Sequence, residues 1–113
     1  MYDRILVPLD GSPLAEQVLP YVSRISLGLG IPVHLFQVLD AVNERLADPA
    51  HGLYTSAIAD GLHDNAIDYL NSVKRNMSGK EITTDAYEGN AVSSIIEEAD
   101  KSPGSLVAMS THG

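Results

Sequence analysis

What most constrains the fold of this chain is a run of consecutive apolar residues that recurs three times, in "RILVPL" (4–9), "PVHLFQVL" (32–39) and "SLVAMS" (105–110). Apolar side chains on successive positions suit strands covered on both faces, which is the condition of central strands in a parallel sheet. A fourth segment, "EITTDAY" (81–87), alternates instead: Ile82, Thr84 and Ala86 interleave with Glu81, Thr83 and Asp85. One wetter face is what an edge strand carries.

Helical signals fill the gaps between these strands. Ser12 is a natural N-cap and Pro13 suits a first helical position. Leu14, Val18, Val22, Ile25 and Leu29 then recur at helical spacing. Pro20 falls inside this stretch and is expected to kink it, because it lacks an N–H and crowds the preceding turn. Gly28 and Gly30 are expected to close it. Residues 40–54 hold no period and read as a long loop. A second helix follows with Ile58, Leu62, Ala66, Tyr69 or Leu70, and Val73 on one face. Asn90 caps a third, with Val92, Ile95, Ile96 and Ala99 as its apolar stripe. Alternating strands and helices joined by right-handed crossovers give a doubly wound parallel sheet in a three-layer α/β/α domain, Rossmann-like, spanning residues 1–113 as a single unit.

Composition narrows the chemistry. There is no cysteine, so disulfides, thiolate metal sites and thiol nucleophiles are excluded. The formal charge of −8 is spread along the chain and repels polyanions, so neither nucleic acid nor membrane is an expected partner. The apolar part of "MYDRILVPLD" is too short for a signal peptide, and no run approaches the roughly 20 residues of a membrane span. A cytoplasmic location is expected. His34, His51, His63 and His112 form no metal-ligand pair at helical spacing and read as surface or boundary residues. No nucleophile has an evident partnered base, so no catalytic residue is nominated.

In doubly wound sheets, ligands bind beyond the carboxyl ends of the strands where strand order reverses. If the first and fourth strands flank that point, "PLDGS" and "MSTHG" meet there. Asp10 offers a carboxylate to ribose hydroxyls or an amino group, or with Ser12 merely caps the first helix. Spacing alone leaves both open. "STHG" offers backbone N–H groups, hydroxyls and a glycine permitting close approach of phosphate oxygens, and equally fits an ordinary strand-to-helix turn.

Taken together, "YDRILVPLDGSPLAEQVLPYV" and "LVAMSTHG" resemble the universal stress protein family. The resemblance implies an adenine nucleotide alpha hydrolase-like fold, a homodimer, and an ATP site used for regulation in the stress response, with Mg2+ accompanying the nucleotide. It implies that Pro8, Leu9 and Asp10 line the adenosine pocket and that the backbone around Val38 meets the adenine edge. Met109, Ser110, Thr111, His112 and Gly113 would begin the phosphate cradle. In the family that cradle reads Gly, two residues, Gly, nine residues, then Gly with Ser or Thr. Here Ser110 stands at the first glycine, and Gly113 ends the chain. The later Gly-Ser/Thr pair, the last helix and the fifth strand are therefore expected to be missing, with the chain truncated after strand 4 and triphosphate affinity reduced. Turnover is expected to reach at most slow ATP hydrolysis or self-phosphorylation. The rival expectation is a dimerisation or protein-interaction module that binds no nucleotide.

Overall fold

The computed structural model of the protein describes residues 2–39 and 56–110. The expected loop at 40–54 and the residues Thr111, His112 and Gly113 lie outside the described residues.

Four strands form one parallel sheet: β1 (Arg4–Pro8), β2 (Val33–Leu39), β3 (Ile82–Glu88) and β4 (Ser105–Val107), in the spatial order β3-β2-β1-β4. The order reverses beside β1, which has β2 on one side and β4 on the other. Leu6 pairs with His34 across one boundary and with Val107 across the other. Ile5, Leu6 and Val7 are fully buried, as their unbroken apolar run requires. β3 lies at one edge, as its alternation predicts. β4 is shorter than the six residues its sequence offers and, among the described strands, pairs with β1 alone.

The first helical stretch is two helices, α1 (Pro13–Glu16) and α2 (Leu19–Leu29). The break has a physical cause in Pro20, which cannot donate to the Glu16 carbonyl and whose ring would crowd it. The chain turns at Gln17–Val18, so that proline falls in the first turn of α2, where no donor is needed. The Ser12 hydroxyl caps α1 by accepting from the Ala15 N–H at 3.2 Å. Gly30, at φ 68°, ends α2, while Gly28 lies inside the helix. Leu29, expected on the buried stripe, is exposed. Ser26 is buried instead, donating to the Ile31 carbonyl at 2.6 Å and accepting from the Lys80 N–H at 3.0 Å.

α3 (Ser56–Arg75) buries Ala66, Leu70 and Val73. With Val22 of α2, Leu70 and Val73 cover Ile5, Val7, Val33 and Leu35 on one face of the sheet. α4 (Ala91–Asp100) is capped by Asn90, whose Oδ1 accepts from the Ser93 N–H at 3.1 Å. It serves the crossover from β3 to β4 and lies over the other face, where Glu98 reaches His34 and Tyr87. The buried side of α4 runs through Ile95 and Glu98. Val92 and Ile96, expected in its apolar stripe, are 66% and 55% exposed. Among the described residues, no helix is long and apolar enough to cross a membrane.

Candidate functional site

The reversal of strand order beside β1 leaves a cleft beyond the carboxyl ends of the strands. Two backbone bonds carry the ladder towards it: the Leu9 N–H donates to the Phe36 carbonyl at 2.8 Å, and the Ala108 N–H to the Leu6 carbonyl at 2.9 Å. The segment after β1 thus runs beside the end of β2 and the segment after β4. A cavity of about 210 Å3 opens there, lined by Pro8, Leu9, Asp10, Leu14, Ala15, Val38, Ala91, Ile95, Met109 and Ser110.

Six of the nine residues singled out from the sequence therefore share one cavity: Pro8, Leu9, Asp10, Val38, Met109 and Ser110. The other three, Thr111, His112 and Gly113, fall outside the described residues. Sequence reasoning missed Leu14 and Ala15 of α1 and Ala91 and Ile95 of α4 as lining residues. Leu14 and Ile95 sit on stripes that read as core, and only the tertiary fold turns them to the cavity.

The turn after β1 is organised by its own side chains. The Ser12 N–H and Oγ both donate to Asp10 Oδ1, at 2.9 and 2.6 Å. Ser12 caps α1 at the same time, so the capping role read for this pair occurs in the turn. Gly11 takes φ 87°, a left-handed backbone that a side chain would strain. Behind the turn, the Tyr69 hydroxyl donates to Glu16 Oε2 at 2.7 Å. Burial, with the Glu16 bond next, pushes the Tyr69 phenol well above its ordinary range, so it remains a neutral donor. Among the described residues the walls are mostly aliphatic, the polar groups few, and no lysine or arginine lines the cavity.

A second polar constellation lies towards the amino-terminal side of the sheet, on the α4 face. Tyr87 donates to Glu98 Oε1 at 2.8 Å, and His34 Nε2 lies 2.8 Å from the Tyr87 hydroxyl. Since Tyr87 spends its proton on Glu98, His34 donates from Nε2 and accepts at Nδ1 from Thr83 Oγ1, 2.7 Å away. Burial pulls the His34 pKa below its ordinary value, against the pull of Glu98 and Asp85. Burial pushes the Glu98 carboxyl up, but Lys101, 2.8 Å from Oε2, and then Tyr87 outweigh it, and the net shift is downward. The Tyr87 phenol is pushed up by burial and by its bond to Glu98. Arg4 adds a bond from its guanidinium to the Glu98 carbonyl at 2.5 Å. This network ties β1, β2 and β3 to α4. His34 is the boundary histidine its strand position predicts. The burial of Glu98 has no signal in the sequence, because it depends on His34 of β2 and Tyr87 of β3, which only the tertiary fold brings to it. Among the described residues, no three His, Asp or Glu side chains gather into a metal site.

Comparison with known proteins bears on the same elements. The model of the universal stress protein family matches residues 1–113. Among solved structures, universal stress protein UspA from Lactobacillus plantarum superposes with a TM-score of 0.67 at 21% identity, over 95% of this chain and 75% of its own. Protein Rv1636 from Mycobacterium tuberculosis H37Rv superposes with a TM-score of 0.62 at 16% identity, over 96% of this chain and 71% of its own. At these identities the two structures speak to the fold. No curated protein sequence matches the chain closely.

Proposed function

The chain belongs to the universal stress protein family, and on that premise we propose that it is an adenine-nucleotide-binding regulatory protein, with ATP, accompanied by Mg2+, as its ligand. The observation that carries this reading is the single cavity shared by Pro8, Leu9, Asp10, Val38, Met109 and Ser110 at the reversal of strand order. Aliphatic walls from Leu9, Val38 and Ile95 suit a purine. Asp10 suits ribose hydroxyls, and Ser110 begins the phosphate end.

The volume of about 210 Å3 falls below the roughly 300–1,000 Å3 of pockets that enclose drug-sized ligands. The cavity therefore fits the nucleoside better than the whole nucleotide, and the triphosphate would extend past Ser110. Thr111, His112 and Gly113 remain candidates for that end. Among the described lining residues none supplies a cation for the phosphates, so Mg2+ and backbone N–H groups would serve there. The acidic surface disfavours nucleic acid and membrane as partners, and the homodimer is proposed from family membership rather than from charge.

Native mass spectrometry with and without Mg-ATP tests the proposal. Retention of one nucleotide per chain supports it, and a ligand-free species under saturating Mg-ATP counts against it. One observation favours the rival, an interaction module without nucleotide: Met109 of the cavity lining is more than half exposed, as are Val92 and Ile96 on the helix that supplies Ala91 and Ile95 to that lining. The same spectra separate the two, since that reading predicts a dimer that carries no ligand.

A further inference from the structure

We propose that Glu98 is a positioning residue for the candidate site: it holds α4 in the rotation about its own axis that turns Ala91 and Ile95 to the cavity and leaves Val92 and Ile96 to solvent. The effect on affinity rests on the nucleotide-binding reading, while the rotation rests on the fold alone.

α4 does not sit where its apolar residues by themselves would put it. Val92, Ile95, Ile96 and Ala99 form the stripe that hydrophobic burial would turn inward. Yet Val92 and Ile96 are exposed, while the carboxylate-bearing Glu98 is buried. The face turned inward runs through Ala91, Ile95 and Glu98, of which Ala91 and Ile95 line the cavity. With each residue turned by about 100° from the last, the centre of the apolar stripe lies about 80° away from the centre of this face.

Polar contacts account for the difference. Tyr87 of β3 donates to Glu98 Oε1 at 2.8 Å, and Nε2 of His34 on β2 lies 3.5 Å from the same oxygen. Lys101 pairs with Oε2 at 2.8 Å. Arg4 of β1 donates to the Glu98 carbonyl. β1, β2 and β3 thus grip the helix at one residue, about one turn from Ile95 and two from Ala91. Hydrophobic burial is non-directional and accepts either rotation. Bonds to a carboxylate are directional and strong, and a buried ionic group acts here on register more than on stability.

Without the Glu98 carboxylate the apolar stripe has no rival. α4 would turn towards it, burying Val92 and Ile96, carrying Ala91 out of the cavity wall and swinging Ile95 across it. Apparent affinity falls with the fraction of chains in the competent rotation, so a fraction of roughly one half to one tenth in Glu98→Ala raises the Kd for Mg-ATP about two- to tenfold. Ile96→Ser removes much of the competing stripe. Glu98→Ala with Ile96→Ser is therefore expected to bind more tightly than Glu98→Ala alone, although it is the less apolar protein. A merely structural role for Glu98 gives no such rescue.

The experiment is methyl NMR on the wild type, Glu98→Ala, Ile96→Ser and the double variant, with a soluble paramagnetic agent reporting methyl exposure and the Kd for Mg-ATP measured on each. Val92 and Ile96 methyls that become protected in Glu98→Ala, with weaker binding, support the proposal when the double variant restores both Val92 exposure and the Kd. Ile96→Ser alone should bind as the wild type does. Glu98→Gln keeps an acceptor for Tyr87 and drops the charge, and it carries the same readings if Glu98→Ala does not fold. Loss of folding in both overturns the proposal, since a residue that only sets a rotation is not needed to fold. So do Val92 and Ile96 methyls as exposed in a folded Glu98 variant as in the wild type, methyl burial with an unchanged Kd, or a Kd that Ile96→Ser fails to restore. A wild-type chain that binds no nucleotide refutes the binding reading instead, and the methyl exposures still decide whether Glu98 sets the rotation.

Discussion

Asp10 offers the sharpest perturbation of the candidate site, because two substitutions there separate charge from geometry. Its Oδ1 accepts from the Ser12 N–H and hydroxyl, both on the exposed surface of the turn. In Asp10→Ala those donors turn to water, and because both bonds are exposed the cost to folding should stay within about 1 kcal/mol. Binding should suffer more. A carboxylate that accepts from a ribose hydroxyl forms a charge-assisted bond worth about 1.5–3 kcal/mol, which corresponds to a rise in Kd of roughly 10- to 150-fold. In Asp10→Asn the amide oxygen still accepts from the Ser12 N–H and the turn keeps its shape. Only the charge is lost, and the rise should be nearer three- to tenfold. Isothermal titration with Mg-ATP and with adenosine, beside thermal melts, measures all of this. Losses should be equal for the two ligands, since Asp10 is assigned to the nucleoside half. An Asp10→Ala protein with wild-type affinity, or a loss confined to ATP, would refute that assignment.

Other consequences concern packing and charge. Ser26 Oγ is wholly buried between two turns, so Ser26→Ala strands the Ile31 carbonyl and the Lys80 N–H; a loss of about 2–4 kcal/mol in denaturant unfolding is expected. Val38→Phe pushes a ring into the cavity and should abolish nucleotide binding while the melting transition stays cooperative, as a binding assay beside calorimetry would report. The pKa of His34 is depressed in the fold, so the unfolded chain binds more protons below 6.5. The stability from neutral His34 is thus fully present above that value and lost as pH falls through the folded one. Glu98 is depressed too, and its share is present above 4.5 and lost on further acidification. Unfolding free energies from pH 7 down to about 3 should fall in two stages, and His34→Gln should remove the upper stage.

The layered fold was legible because its signals are local. "RILVPL" and "PVHLFQVL" announce buried parallel strands, Ser12 with Pro13 and Asn90 announce helix starts, and Pro20 announces a break, though not that it would divide the stretch into two helices. The meeting of "PLDGS" with Val38 and "MSTHG" as far as Ser110 followed from topology, since a reversal of strand order next to β1 leaves few other places for those loops. What escaped depends on contacts between residues far apart along the chain. Glu98 reads as a solvent-facing residue until Tyr87, Lys101 and His34 are found around it. Val92 and Ile96 read as core because helical spacing marks a stripe without saying what covers it. Tyr69 and Leu70 are equally good candidates for one buried position, and the structure uses both: Leu70 in the core and Tyr69 with its ring on the core and its hydroxyl on Glu16 of α1.

The most direct test of an adenine-nucleotide site at the reversal of strand order is a 1H–15N NMR titration of the wild-type chain with Mg-ATP, with Mg-GTP as the control. Saturable shifts confined to Leu9, Asp10, Val38, Ala91, Ile95 and Ser110, absent with Mg-GTP, are the predicted result. Spectra unmoved by Mg-ATP at about millimolar concentration, where even a Kd of about 1 mM (a binding free energy of about −4.1 kcal/mol) would register, would contradict it, as would shifts gathered around His34 and Glu98 instead.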